Sequence, residues 1–408
     1  MNRYLEDLIN FIKEVDNWKE VLLKAPYNLK NIKECNWHPN WFMFNYNLFN
    51  SDFTIPLVKA CRGTVLEIVG KEVKPICIPY YKFFNAGDPN ADEIDWNSAE
   101  VYDKIDGILI KAFKYDNKLY WTTNGSFDMN APFEDSLVFD EPETRNSECY
   151  GDLLSYAIKK EDNDVEIHFN KETGEFYTVG GWCDNYENGS TFMFELTSPR
   201  NKIICKYNET KLWWHGFRNG ADDEQLPAFI RSLNASKPSY TIPNKYNLKD
   251  MESVKKLLSD FKGIENEGVV VVDNNFHRIK IKCEDYLKIK FANDMAANKN
   301  ILFKAILNNE EDDLISAVPA LLPISEEIKK EISLFKDWYI AESFRVKGTK
   351  KEWVEYCKSN IDPRLFSFYM DMYIPNNLAK LNNKLLSLSC RKHGYKQFKD
   401  FLECIQKK

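Results

Sequence analysis

A chain of 408 residues with 44% apolar, 29% charged and 14% aromatic residues is long enough for two domains with their own cores, and this balance excludes a disordered or fibrous protein. The formal charge of −7 excludes a protein that coats nucleic acid by bulk electrostatics, although the charge is uneven: Lys380 to Lys408 holds 8 basic and 2 acidic residues. No segment has the apolar length that crosses a bilayer, the start lacks a charged leader with an apolar core, and the ten scattered cysteines show no zinc-binding spacing, so a soluble intracellular protein with reduced, mostly buried thiols and no membrane partner is expected.

In chain order, Leu5, Leu8, Ile9, Phe11, Ile12 and Val15 share one face of an opening helix. Runs rich in β-branched and aromatic residues then predict strands at Arg62–Val69, Gly107–Tyr115, Lys118–Thr123, Thr191–Leu196, Lys211–Phe217, Gly268–Asp273 and His277–Lys282. Between them, Glu134–Glu148 is acidic and reads as a surface loop, and Val165–Phe169 with Phe176–Val179 around Thr173-Gly174 reads as a hairpin. After about Asp294 the pattern turns helical, with blocks at Ile301–Leu307, Ile324–Phe335, Lys350–Lys358, Pro363–Met372 and Ala379–Leu388. A boundary near 294 is therefore expected, dividing 1–294 from 295–408.

Lys104-Ile105-Asp106-Gly107 places a lysine at the entry of an apolar strand. An amine with an ordinary pKa of about 10.4 is protonated at neutral pH, so a nucleophilic lysine needs desolvation or neighbouring cations to lose its proton. Gly107 leaves the backbone open to a nucleotide. Alone, the tetrapeptide is equally a turn before a strand. Phe192-Met193-Phe194-Glu195 and Glu267-Gly268-Val269-Val270 each set a carboxylate at a strand end, and alternation in Lys280-Ile281-Lys282 turns both lysines to one face. Arg62 in Cys61-Arg62-Gly63 and Lys82 in Lys82-Phe83-Phe84-Asn85 are candidate clamps for outer phosphates, by bidentate guanidinium pairing and as a point charge respectively.

Taken in order, these blocks resemble motifs I, III, IV and V of the covalent nucleotidyltransferases, the superfamily of polynucleotide ligases and capping enzymes. Within it, Phe44-Asn45-Tyr46, Ser51-Asp52-Phe53, Gly125-Ser126 and Ser198-Pro199-Arg200-Asn201-Lys202-Ile203 resemble the RNA-ligase-1 family of T-even phages over roughly residues 40 to 315. The resemblance implies an α+β fold: an ATP-grasp-like nucleotidyltransferase domain of mostly antiparallel sheets, then an all-helical C-terminal domain that recognises RNA. It implies that Lys104 is adenylylated by ATP, that Arg62 and Lys82 hold pyrophosphate, and that Lys280 and Lys282 contact the α-phosphate. Phe84, Gly107 and Gly268 join the nucleotide-binding set. Glu195 and Glu267 orient the ribose or waters on Mg²⁺ (or Mn²⁺), and Asp312-Asp313 resembles a pair that engages a second metal, although it also reads as a solvated helix start.

The implied reaction joins RNA 5′-phosphate and 3′-hydroxyl ends, as in repair of nicked tRNA beside an end-healing kinase/phosphatase, in the cytoplasm (the host's, for a viral chain). Two features depart from the family. Asn124 stands where a basic residue is usual, and 68 residues separate Ser126 from Glu195, a longer stretch that takes in the added hairpin. The rival readings are a DNA ligase or GTP-using capping enzyme, which nucleotide choice would separate, and a silent RNA-end-binding protein, against which intact Lys104, Glu195, Glu267, Lys280 and Lys282 argue. Lys211-Leu212-Trp213-Trp214 offers an aromatic for adenine or, more simply, core packing.

Overall fold

The computed structural model describes residues 3–133, 141–181, 186–201, 203–221, 223–226, 229, 240–297, 299–308, 311, 315, 321–345, 349–360, 395–396, 398–400 and 402–403. Its contacts divide the chain into two compact units, Met1–Tyr286 and Leu287–Lys408. Residue 294 falls inside the helix Glu284–Ala297, which spans that division.

Three sheets build the first unit. One is a four-stranded antiparallel meander of β1 (Leu29–Glu34), β2 (Trp41–Tyr46), β3 (Arg62–Val69) and β4 (Glu72–Cys77). The second has the order β13-β12-β11-β7-β8-β10-β9 and is antiparallel throughout; these are Asp223–Gln225, Lys211–Asn219, Thr191–Thr197, Ile108–Tyr115, Lys118–Thr123, Phe176–Val179 and Glu166–Phe169. The third is β14-β6-β15-β16-β5, made of Lys245–Tyr246, Glu100–Lys104, Gly268–Val272, Arg278–Lys282 and Phe84–Asn85, with β5 alone running parallel to its neighbour.

Alternation decides which faces meet. The opening helix Arg3–Glu14 buries Leu5, Leu8, Ile9 and Ile12 with Leu66 and Ile68 on one face of the four-stranded sheet. The other face sends Trp41, Met43 and Val65 against Phe113 and Tyr120 of the seven-stranded sheet. That sheet's far face packs Ile110, Trp121, Phe176, Phe194 and Trp214 on Leu153, Leu154, Ala157 and Ile158 of the helix Tyr150–Glu161. Each fully buried aliphatic side chain contributes roughly 1.5–3 kcal/mol and the aromatics more, so these layers rigidly seat the strands that enter the site.

The added hairpin is real and extends the seven-stranded sheet at one edge, where β10 pairs with β8. The acidic segment is not simply a surface loop. Residues 134–140 lie outside the described residues, but beyond them Glu141 and Thr144 are buried, and Glu141 accepts the Thr210 amide at 2.9 Å. Arg200 then donates to the carbonyls of Thr144, Arg145 and Ser147. Charge in the sequence signalled solvent, whereas the carboxylate satisfies buried donors.

The second unit shows helices Lys299–Asn308, Leu322–Arg345 and Lys350–Asn360 among its described residues, with Phe303, Phe335 and Phe398 packed together. The helical blocks expected at Pro363–Met372 and Ala379–Leu388 lie outside the described residues. Among the described residues, the cysteines at 35, 61, 77, 149, 205 and 283 are free and buried. No helix among the described residues is long and apolar enough to cross a membrane.

Candidate active site

Lys104 is the last residue of β6, a strand of the five-stranded sheet, and not the entry to the apolar run that follows. That run, β7, belongs to the seven-stranded sheet, so Ile105-Asp106-Gly107 is the crossing between sheets. Asp106 fixes the crossing. Its buried carboxylate accepts the amides of Ile204 and Cys205 and the Tyr286 hydroxyl, each at 2.9 Å, while its own amide donates to the Tyr207 hydroxyl. Gly107 is required because a Cβ there would lie 2.5 Å from the Leu196 carbonyl oxygen and 2.9 Å from Glu195 Cγ. On its Cβ side, Gly107 is covered by the protein's own strand. Asp106→Ala strands three donors at once, and each unsatisfied buried donor costs about 1–3 kcal/mol. Urea unfolding is expected to show a loss of about 3 kcal/mol or more; an unchanged midpoint would refute the anchoring role.

The ladder positions the remaining groups. Gly268 of β15 lies opposite both Lys104 of β6 and Lys282 of β16, and Val270 lies opposite Lys280. At φ +152°, with a Cβ only 2.1 Å from the Ile281 carbonyl oxygen, position 268 accepts only glycine. Glu267, only 3% exposed, reaches both neighbours: Oε2 lies 2.7 Å from Lys104 Nζ and Oε1 lies 2.7 Å from Lys282 Nζ.

One cavity is lined by Lys104, Arg62, Glu195 and Lys280, with Tyr80, Phe83, His215 and Arg278 among the other walls. Lys82 stands outside that lining, held over the rings of Tyr46, Phe53 and Phe84 at 4.9–5.2 Å. Phe84 is buried beneath it; its neighbour Phe83 lines the cavity. Asp312 and Asp313 lie outside the described residues.

Electrostatics separates the lysines. Burial pulls the Lys104 pKa down, but the charges of Glu267 and Glu195, the Glu267 hydrogen bond and Asp106 outweigh it, so the amine is held above its ordinary value. The expected cationic surroundings are overridden at this position by carboxylates. Lys280 has no carboxylate partner among the described residues, and burial together with Lys82, Lys104, Lys282 and Arg62 lowers it to about 8. Its ammonium is desolvated and stands among other cations.

Several residues were not legible as site residues. His215 follows the Trp pair on β12, where Trp213 lies opposite Glu195, so alternation brings the imidazole to the same face. Its Nε2 lies 3.5 Å from Glu195 Oε2, and Nδ1 lies 3.4 Å from the Tyr80 hydroxyl. Trp214 is core, and Trp213 donates to Thr197 Oγ1. Arg278 stacks 4.0 Å over Tyr80 and pairs with buried Glu224, which also binds Arg218. Near Asn124 there is a cation after all: an added Cβ at Gly63 would meet Asn124 Oδ1 at 2.5 Å and Lys111 Nζ at 2.9 Å.

No cluster of three or more His, Cys, Asp or Glu side chains suited to a metal occurs among the described residues. Two carboxylates, Glu195 and Glu267, face the lysines. That donor set fits a Mg²⁺ or Mn²⁺ that keeps waters and takes oxygens from phosphates, and not a closed protein cage.

The chain belongs to the RNA ligase family typified by T4 RNA ligase 1, whose family model matches residues 60–294. A protein of Autographa californica nuclear polyhedrosis virus, whose name places it with bifunctional polynucleotide kinase/RNA ligases, is 27% identical over 316 residues, 74% of this chain. This chain spans 40% of that relative's length. Among solved structures, Naegleria gruberi RNA ligase with pyrophosphate is similar at 12% identity over 47% of this chain and 51% of that one, with a TM-score of 0.32. An archaeal ATP-dependent RNA ligase is similar at 12% identity over 72% and 64%, with a TM-score of 0.35.

Proposed function

We propose that this chain is an ATP-dependent RNA ligase that joins 5′-phosphate to 3′-hydroxyl ends through an AMP carried on Lys104. The observation that carries the reading is the sharing of one cavity by Lys104, Arg62, Glu195 and Lys280, with Glu267 joining Lys104 to Lys282. In the first step the neutral Lys104 amine forms a bond to the α-phosphorus of ATP, the bond to the bridging oxygen breaks, and pyrophosphate leaves with that electron pair. In the second, an oxygen of an RNA 5′-phosphate displaces Lys104, which regains its proton. In the third, a 3′-hydroxyl attacks the activated end and AMP departs.

Little covalent work falls to the other residues, since phosphoryl transfer is governed by position and charge. In this reading Lys280 and Lys282 neutralise the α-phosphate, Arg62 and Lys82 hold the pyrophosphate, and the base lies against Tyr80, Phe83 and the β15 valines that line the cavity. Glu195 and Glu267 would hold Mg²⁺ or Mn²⁺ through water, and the ion would supply further positive charge to the phosphates. Residues 295–408 are an all-helical RNA-recognition domain in this reading, acting on nicked RNA such as tRNA in the cytoplasm after a kinase/phosphatase has healed the ends.

The test is to incubate the protein with α-labelled ATP or GTP and Mg²⁺, then with 5′-phosphorylated RNA bearing a 3′-hydroxyl. Label from ATP is expected on the polypeptide and then on joined RNA. Label from GTP alone, or joining of DNA but not RNA, would favour the rival enzymes.

A further inference from the structure

At the edge of the four-stranded sheet, β1 carries a groove distinct from the nucleotide cavity. Lys30 and Lys33, the side-chain amides of Asn31, Asn45 and Asn124, and the ring of Tyr46 line it. No carboxylate lines the groove, and neither lysine has a carboxylate partner among the described residues. Leu48, 58% exposed, also lines it, and the next residue in the chain, Phe49, is 90% exposed. Unpaired ammonium groups, amides and a solvent-facing aromatic are the chemistry that binds single-stranded nucleic acid: charge for the backbone, donors and acceptors for sugar and base edges, a ring face for stacking.

Its position ties it to the proposed phosphate clamp. Asn45 lies opposite Arg62 in the β2–β3 ladder, the Tyr46 ring lies 4.9 Å from Lys82 Nζ, and Asn124 abuts Gly63. In-line displacement makes this location significant. Pyrophosphate departs from the side of the α-phosphorus opposite Lys104, and the group that later displaces Lys104 must approach from that same vacated side. The strand whose 5′-phosphate is activated therefore has to arrive past the proposed clamp of Arg62 and Lys82, beside which Asn45 and Tyr46 line the groove.

We infer that this groove seats the 5′-phosphorylated RNA strand and directs its terminal phosphate to the AMP on Lys104. The inference rests on the ligase reading. Its test uses the full chain with Lys30→Ala and Lys33→Ala combined, and Lys30→Arg with Lys33→Arg as the charge-preserving control. Adenylylation by α-labelled ATP is expected to stay within twofold of wild type, which also reports an intact fold. Transfer of AMP from isolated, labelled protein to a short 5′-phosphorylated single-stranded RNA at sub-saturating concentration is expected to fall at least tenfold, and the arginine pair to restore it. Fluorescence anisotropy of that RNA is expected to show weaker binding and a salt slope shallower by about 1.4, for two lost phosphate contacts on a single strand.

Unchanged AMP transfer and unchanged RNA affinity would overturn the inference. Normal AMP transfer with slow sealing of pre-adenylylated RNA would overturn it too, by assigning the groove to the 3′-hydroxyl strand. If the wild type takes no label from ATP, the ligase reading itself fails. The anisotropy comparison then still decides whether the groove binds RNA.

Discussion

Lys104→Ala is expected to take no label from α-labelled ATP, a fall of at least about a thousandfold, because removing a covalent nucleophile removes the step and not merely its efficiency. Substitution by Ala also leaves Glu267 with Lys282 as its remaining partner at 2.7 Å, so the carboxylate stays paired and the fold should persist. Two further readouts separate loss of the nucleophile from general damage. Urea unfolding should give a midpoint close to wild type. The variant should also seal RNA supplied with its 5′ end already adenylylated, since that step bypasses the amine. Labelling of Lys104→Ala at the wild-type rate would place the nucleophile elsewhere.

Glu267→Gln is expected to move the pH profile of adenylylation to lower pH, because it removes the carboxylate charge that most raises the Lys104 amine. In the wild type, burial favours the neutral amine, but Glu267, with Glu195 and Asp106, overrides it and keeps the pKa raised. Attack needs the neutral form, so single-turnover labelling at saturating ATP should climb with pH through the neutral range. Removing the largest charge that raises the pKa brings the climb earlier. The sign for stability is opposite. A lysine whose folded value is raised contributes its full stabilisation below the unfolded value of about 10.4 and loses it as pH rises through the folded value, so the pair holds across the whole neutral range. Profiles with the same inflection in wild type and variant would show that Glu267 does not set the protonation of Lys104.

How far the sequence spoke depended on the kind of signal. β3 and β8 were legible to the residue, and β7, β11, β12, β15 and β16 within two residues at each end, because each is a short run rich in β-branched or aromatic side chains. The hairpin β9–β10 was visible for the same reason. β6 was not, since Glu100, Asp103 and Lys104 make five residues look like a polar turn; its pairing with β15 is long-range and leaves no local mark. The helix Tyr150–Glu161 went unread for another reason: the acidic run before it suggested solvent, while its apolar stripe needs the far sheet face to explain it.

The site shows the same division. Lys104, Glu195, Glu267, Lys280 and Lys282 were legible from ordered motifs. Which of them pair was not. That one carboxylate bridges two lysines follows from register, and the roles of His215, Arg278 and Asp106 follow from strands remote in sequence. A histidine two residues beyond Lys211-Leu212-Trp213 carries a signal only once Trp213 is known to face Glu195.

Gly268 flanked by Lys104 and Lys282 makes the sheet a ruler. The two lysine Cα atoms are separated by two interstrand gaps of about 4.8 Å, roughly 10 Å in total, whatever the loops around them do. Insertions such as the β9–β10 hairpin can therefore accumulate at a distance without retuning the span between Lys104 and Lys282, the proposed nucleophile and the proposed phosphate cation. Altering that span would take a slip of one strand past another, and a one-residue slip turns every side chain to the opposite face. The dimension on which the proposed chemistry depends is thus quantised, and it admits no small adjustment.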